Sequence, residues 1–370
     1  MPVDRTAAIR DFLKRAGWGE AQHIPLPGDA STRRYVRLLL NSRQAMLMDQ
    51  PQSAEAPAVS VGASASERRI LGYNAVARLA GADCACFVAI AHYLRDRGLS
   101  APEIYAADLV NGFVLIEDLG DALFADILTS GADEHELYLA AVEVLALLHA
   151  HPAPPLLSLD KCLHAYDETA LLAEIDLLTQ WYFPVALGRA ADDAEIEEHR
   201  SLWCGALAPF LQAPSVFVHR DYHAQNLLWL PSRSSVARVG LIDFQDAVTG
   251  SKAYDLVSLI EDARRDVTPA LGTAATEHYL ATMRRQGTPL DGEVFAEEMA
   301  VFAAQRNTKI VGIFARLFRR DGKSRYLSYL PRVWSYLQRD LEHPALAALK
   351  TWYDRAIPRE ARGIPQGGGI

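Results

Sequence analysis

The chain has 370 residues and a net charge of −9, with 50% hydrophobic, 22% charged and 9% aromatic residues. This composition excludes a disordered chain, a collagen-like chain and a small disulfide-framed protein, and the length favours about two domains. The acidic balance weighs against nucleic acid as the main partner. No apolar run reaches the ~20 residues that span a bilayer, and no signal peptide precedes the first amphipathic pattern. We therefore expect a cytoplasmic protein with no membrane partner.

The first 118 residues are typical of a β-rich region. Strands are predicted at 24–26, 34–40, 45–48, 105–108 and 112–116, a loop at 52–65, and helices at 66–80 and 84–97. From residue 120 onward helices dominate, at 137–149, 168–187, 193–211, 253–265, 270–285, 292–318, 325–341 and 344–355, and short strands interrupt them at 216–218, 227–230 and 236–242. The pattern predicts an α+β protein with two lobes. These are a β-rich N-terminal lobe over 1–118 and a helical lobe over 119–358, followed by a flexible tail at 359–370.

The strongest chemical signal lies between the short strands. His219, Arg220, Asp221 and Asn226 fit the pattern H-R-D-x-x-x-x-N of a protein-kinase catalytic loop. A second strand, farther along the chain, ends at Asp243. Asp221 can accept a proton from a hydroxyl, and an amide with a carboxylate supplies the oxygen ligands that Mg²⁺ prefers. Adjacent strands would bring Asn226 and Asp243 together, so the pattern predicts phosphoryl transfer.

With these motifs the chain resembles the aminoglycoside phosphotransferase family, which has a two-lobed protein-kinase-like fold. The resemblance implies an ATP-dependent enzyme with the nucleotide in the cleft and Mg²⁺ as cofactor. It makes Asp221 the acceptor base or the residue that orients the acceptor, and Asn226 and Asp243 the metal ligands. It also places the backbone of Glu117 and Leu119 against adenine, and Asp255 as a brace for the catalytic loop.

One departure concerns the phosphates of ATP. Protein kinases hold them with a lysine of the third strand, yet no lysine lies between Lys14 and Lys161. Met48 or a neighbour occupies that place. A glycine-poor hairpin at 28–38 covers the phosphates in the resemblance, with Ser31 and Thr32 as cradle residues. Arg33 or Arg34 would supply the missing charge, because a guanidinium binds phosphate bidentately; the alternative is that both are solvated strand residues.

A subgroup of the family matches over roughly 20–355: bacterial kinases that phosphorylate C1 of N-acetylmuramate and N-acetylglucosamine. The matching segments are GDASTRRYVRL at 28–38, MDQP at 48–51, APEIYAAD at 101–108, RNTKIVGIFARL at 306–317, DGKSRYL at 321–327 and LPRVW at 330–334. The resemblance implies an amino-sugar substrate, a role in peptidoglycan recycling and a downstream uridylyltransferase that takes the product. We expect a monomer.

The acceptor side is predicted from a basic stripe. On one helix face Gln305, Lys309 and Arg316 recur, and a basic pocket suits an anionic sugar such as N-acetylmuramate better than a polycationic aminoglycoside. His223 and Gln225 of the catalytic loop are further substrate candidates. A solvated face is the alternative for the stripe.

Two other functions stay open from the sequence. One is a different small-molecule kinase of this fold that acts on an aminoglycoside, choline or a homoserine-like acceptor. The other is a non-catalytic nucleotide-binding module, suggested by the missing lysine.

Overall fold

The computed structural model describes residues 5–27, 33–51, 59–60, 62–79, 83–213 and 215–365. Its contacts divide the chain into two compact units. The first unit comprises Met1–Ala132, Pro154–His164 and Gln225–Ala247, and the second comprises Asp133–Ala153, Ala165–Ala224 and Val248–Ile370. These units do not follow a single boundary after residue 118, so the predicted lobe boundary stays a prediction.

Ten strands form among the described residues. They are β1 (Gln22–Pro25), β2 (Arg34–Leu40), β3 (Arg43–Asp49), β4 (Ile104–Asp108), β5 (Phe113–Ile116), β6 (His164–Ala165), β7 (Val216–Val218), β8 (Leu227–Trp229), β9 (Val239–Leu241) and β10 (Val248–Gly250). The first unit contains an antiparallel sheet of order β1-β2-β3-β5-β4 and the hairpin β8–β9. In the second unit β10 pairs antiparallel with β7.

Twelve α-helices form among the described residues, and most of them lie in the second unit. They are α1 (Arg5–Arg15), α2 (Ala65–Leu71), α3 (Cys84–Arg95), α4 (Phe124–Thr129), α5 (Glu134–His149), α6 (Glu168–Leu177), α7 (Asp193–Leu211), α8 (Ala253–Ile260), α9 (Pro269–Arg285), α10 (Gly292–Asp321), α11 (Leu330–Asp340) and α12 (Ala347–Ala356). Capping side chains fix several of the starts. Asp83 accepts a hydrogen bond from Ala85 N at 2.8 Å before α3, and Ser64 and Asp192 form capping boxes before α2 and α7.

The sheet of the first unit packs against helix α1 through a hydrophobic core. The amphipathic helix α1 buries Phe12 and Leu13 against Leu38, Leu47 and Phe113, which come from three strands. Burying such side chains stabilises the unit by about 1.5–3 kcal/mol each, an upper estimate for the transfer from water. The hairpin β8–β9 joins this unit through bridges from Leu123 to Leu228 and from Ser100 to Gly240. Those bridges explain why a segment so late in the sequence belongs to the first unit.

Several predicted elements differ from the observed ones. The helix predicted over 168–187 is α-helical only to Leu177 and continues as a π-helix over Leu178–Leu187, which contains Pro184 and therefore lacks one backbone donor. The strand predicted over 236–242 begins as a 3₁₀ turn over Ser235–Arg238, so only three residues pair as β9. The short helix α4 had no sequence prediction.

The end of the chain is more ordered than expected. Residues 359–361 form a 3₁₀ turn, the Tyr182 hydroxyl donates to Ala361 O at 2.5 Å, and Gly363 N donates to the same hydroxyl at 3.1 Å. The prediction of a flexible tail from residue 359 is therefore wrong for residues 359–363. Residues 366–370 lie outside the described residues. None of the helices in the described chain has the length and apolar character that a membrane span requires.

Candidate active site

A cavity of about 650 Å³ lies in the first unit. Five of the predicted site residues line it: Arg33, Glu117, Leu119, Asn226 and Asp243. They come from the residue before β2, the segment after β5 and the two chain segments at the open end of the β8–β9 hairpin. Residues far apart in sequence therefore meet around one cavity.

The hairpin positions the two predicted metal ligands. Leu227 pairs with Leu241, and Ile242 N donates to Asn226 O at 3.2 Å, so Asn226 and Asp243 flank the same end of the hairpin. The expectation that adjacent strands bring them together is confirmed. Asp243 has a φ of 63°, a left-handed conformation that a non-glycine residue adopts at a cost.

An amide and a carboxylate on one cavity wall fit Mg²⁺. This ion is commonly held by one or two protein carboxylates together with substrate phosphates. No group of three or more His, Cys, Asp or Glu side chains in the described ranges could hold a metal by itself. The donor set therefore suits a metal that arrives with a phosphorylated ligand.

Arg33 contacts this end of the hairpin directly. Its Nη2 donates to Asp243 Oδ1 at 3.0 Å, and its side chain is only 5% exposed. Arg34 is exposed and does not line the cavity. Met48, at the place expected for the missing lysine, is fully buried and its sulfur accepts from the Tyr35 hydroxyl at 3.5 Å. Ser31 and Thr32 lie outside the described residues.

The segment after β5 also lines the cavity. Glu117 N donates to Glu103 O at 2.8 Å, which leaves the Glu117 carbonyl and the Leu119 backbone as the groups an adenine could meet. The Glu117 carboxylate pairs with Arg233 at 2.5 Å. Arg37 donates to Asp118 Oδ1 at 3.2 Å and to Asp121 Oδ2 at 2.9 Å, which ties β2 to this segment.

The catalytic loop of the second unit begins where β7 ends. Asp255, buried in α8, accepts from His219 N at 2.6 Å and from Arg220 N at 2.9 Å, so its predicted bracing role is confirmed. Arg220 has a φ of 73°, and its guanidinium pairs with buried Glu174 at 2.7 Å. These bonds hold the backbone on the N-terminal side of Asp221.

Charges around Asp221 keep it ionised. Burial opposes ionisation, but the neighbouring charges, with Lys309 the largest contributor and Arg220 a further one, together outweigh it and lower the pKa of Asp221 to about 2. Burial also lowers the pKa of His223 to about 4, so this imidazole is neutral at pH 7. Asp221 is thus a carboxylate at neutral pH, as a proton acceptor must be.

The basic stripe of α10 has partners within the second unit. Lys309 Nζ lies 2.8 Å from Glu174 Oε1, and Gln305 Nε2 donates to Leu171 O and Glu174 Oε2 at 3.2 Å each. The two residues share a face as predicted, but that face packs on α6. Arg316 is half-buried farther along α10, and Gln225 is exposed in the first unit. Substrate contact by these four residues stays a prediction.

Sequence reasoning missed charged residues in each of the two units. Arg37 and Arg78 line the cavity, and Arg78 Nε lies 3.0 Å from Asp246 Oδ2. Glu174 holds both Arg220 and Lys309 from the interior of α6. A useful signal was available for Glu174, since an acid within an otherwise apolar helical stretch requires a buried partner.

Comparison with known proteins decides the family. A model of the phosphotransferase enzyme family matches residues 23–290. The chain belongs to this family. It is 43% identical to an N-acetylmuramate/N-acetylglucosamine kinase of Caulobacter vibrioides over 97% of this chain and 98% of that protein. It is 33% identical to a kinase of the same name from Pseudomonas aeruginosa over 93% of this chain and 92% of that protein.

A solved structure supports the fold. An ADP-bound aminoglycoside phosphotransferase shares 14% identity and a TM-score of 0.53, covering 91% of this chain and 97% of its own. The predicted protein-kinase-like fold and the predicted phosphotransferase activity are therefore confirmed. The catalytic motifs quoted from the sequence were sufficient to identify the family.

Proposed function

We propose that this chain is an ATP-dependent kinase that phosphorylates the anomeric hydroxyl of N-acetylmuramate and N-acetylglucosamine. The observation that carries the proposal is the 43% identity to the Caulobacter vibrioides kinase along nearly the whole of both chains. Asp221, Asn226 and Asp243 are all present, which weighs against a non-catalytic module. The product would serve peptidoglycan recycling and feed a uridylyltransferase.

Each proposed role follows from the chemistry of the side chain. Asp221 accepts the proton of the anomeric hydroxyl as the oxygen attacks the γ-phosphorus, and the bond from that phosphorus to the β–γ bridging oxygen breaks to leave ADP. Asn226 and Asp243 would hold Mg²⁺, which neutralises phosphate charge when bound. Arg33 binds the phosphates of ATP in place of the missing lysine. The Glu117 carbonyl and the Leu119 backbone bind adenine.

An ADP-release assay with a panel of acceptors tests this function. We expect turnover with both amino sugars, little with an aminoglycoside or choline, and loss of most turnover in Asp221→Asn while ATP still binds. The asparagine keeps the shape of the side chain but cannot accept the proton. A higher kcat/KM for choline or an aminoglycoside than for either sugar would contradict the proposal.

A further inference from the structure

The segment between α8 and α9 lies beside the catalytic loop within the second unit. Arg264 N donates to Asp262 Oδ1 at 2.8 Å, which fixes the turn that follows α8. From this turn the Arg264 guanidinium reaches the loop, and its Nη1 lies 3.4 Å from His223 Nε2. Neighbouring Arg332 donates to Ala263 O at 3.1 Å and anchors the same turn to α11.

The contact between Arg264 and His223 defines the state of the imidazole. A guanidinium only donates, so His223 Nε2 is the acceptor and the ring proton lies on Nδ1. His223 is 5% exposed, and its Nδ1 has no hydrogen-bond partner among the described residues. A buried N–H without a partner is costly, so the bond from Arg264 is what fixes the imidazole in this tautomer.

Neither Arg264 nor Arg306 has a counter-ion among the described residues, but Arg306 is buried whereas Arg264 is half-buried. Within the described chain no carboxylate lies within ion-pair distance of its guanidinium, and Asp262 bonds to its backbone instead. The other cations around Asp221 are already paired: Lys309 and Arg220 lie 2.8 and 2.7 Å from Glu174. Arg306 donates to Glu261 O at 3.2 Å and is buried.

We propose that Arg264 binds the anionic group of the acceptor and sets the preference for a sugar that bears a carboxylate. This inference rests on the proposed function, in which N-acetylmuramate carries a lactyl carboxylate that N-acetylglucosamine lacks. The half-buried guanidinium can pair bidentately with that carboxylate. The assignment replaces the α10 stripe, because Lys309 would have to give up Glu174 to bind a substrate anion.

The test compares kcat/KM for the two sugars in Arg264→Met and in Arg284→Met, an exposed arginine of α9 that serves as the matched control. A charge-assisted hydrogen bond predicts a loss of about 10- to 150-fold for N-acetylmuramate in Arg264→Met. Turnover of N-acetylglucosamine should stay within about threefold and shows that the variant is folded. The control should leave both values unchanged.

A modified substrate gives a second test that does not depend on whether Arg264→Met folds. The methyl ester of N-acetylmuramate removes the charge, and we expect the wild-type enzyme to use it about 10- to 150-fold less well than the acid. An unchanged ratio of the two sugars in Arg264→Met, or a parallel loss for both, would overturn the assignment, as would equal use of acid and ester. No wild-type turnover of either sugar would instead overturn the proposed function.

Discussion

Arg33 is the residue proposed to supply the charge of the missing lysine. The chain has no lysine between Lys14 and Lys161, and Met48 is buried where the kinase lysine is expected. Of the three arginines that line the cavity, Arg37 pairs with Asp118 and Asp121 and Arg78 pairs with Asp246. Arg33 contacts Asp243. It therefore lies where metal and phosphate charge would meet.

We expect Arg33→Gln to raise KM for ATP and lower kcat together, reducing kcat/KM about tenfold or more. The reason is that the variant removes a phosphate-binding charge and a hydrogen bond that orients Asp243. Arg34→Gln is the matched control, since Arg34 is the adjacent residue but is exposed. Steady-state kinetics with varied ATP measure both effects. Equal kinetics in the two variants would move the role to another residue.

The residues of the site were predictable only where a motif names them. Asp221, Asn226 and Asp243 follow from short patterns with fixed spacing, and Asp255 follows from the same resemblance. Helical periodicity predicts Lys309 as a substrate-binding residue, whereas in the structure it forms an ion pair with Glu174. Periodicity shows which residues share a face but not what covers that face, and two charges distant in sequence pair without any local signal.

At the level of elements, helix α10 depends on a glycine. A Cβ at Gly312 would lie 2.4 Å from the backbone carbonyl carbon of Leu177 and 2.7 Å from its oxygen. Backbone atoms cannot yield as a flexible side-chain end can. The close approach of α10 to the end of α6 therefore requires glycine here. A glycine on a helix face lets a ligand or a second helix approach closely, and at Gly312 the neighbour is α6.

Gly312→Ala should destabilise the fold by about 1–3 kcal/mol, because overpacking forces α6 and α10 apart. Gly205→Ala is the control, since no atom lies within 4 Å of its added Cβ within α7. There the substitution should stabilise by about 0.5–1 kcal/mol through helix propensity. Thermal or urea unfolding measures both, and equal stability of the two variants would mean that the close approach is not required.

Element types were predicted better than element ends. The long helices and the strands around the motifs follow from periodicity, whereas the continuation of α6 as a π-helix has no periodic signature. The sequence likewise predicts one strand over 236–242, because the 3₁₀ turn that precedes the short strand β9 has no periodic signature either. Such irregular turns depend on tertiary contacts, which a local pattern does not contain.

At the level of the whole molecule, two buried histidines link stability to pH. His149 and His199 are almost inaccessible, and burial lowers the pKa of each to about 3. His199 stacks on Trp352 with ring centroids 4.2 Å apart and accepts from Trp203 Nε1 at 2.9 Å. The folded state thus holds both rings neutral, while the unfolded chain protonates them below about pH 6.5.

Stability should therefore fall as pH falls from about 6.5 toward 3, since the unfolded state binds more protons there. Each histidine contributes a slope of up to about 1.4 kcal/mol per pH unit in that window. His199→Phe keeps an aromatic ring on Trp352 and should remove one such contribution, so its slope should be smaller than that of the wild-type protein. Urea unfolding at several pH values measures the slopes, and an unchanged slope in His199→Phe would contradict the account.

The most direct test of the central claim is ³¹P NMR of the product formed from ATP and each amino sugar, correlated with the sugar protons. The account predicts a phosphate coupled to the anomeric proton for both N-acetylmuramate and N-acetylglucosamine, and no such signal with Asp221→Asn. A phosphate coupled to any other sugar proton, or ADP release without a sugar phosphate, would contradict it.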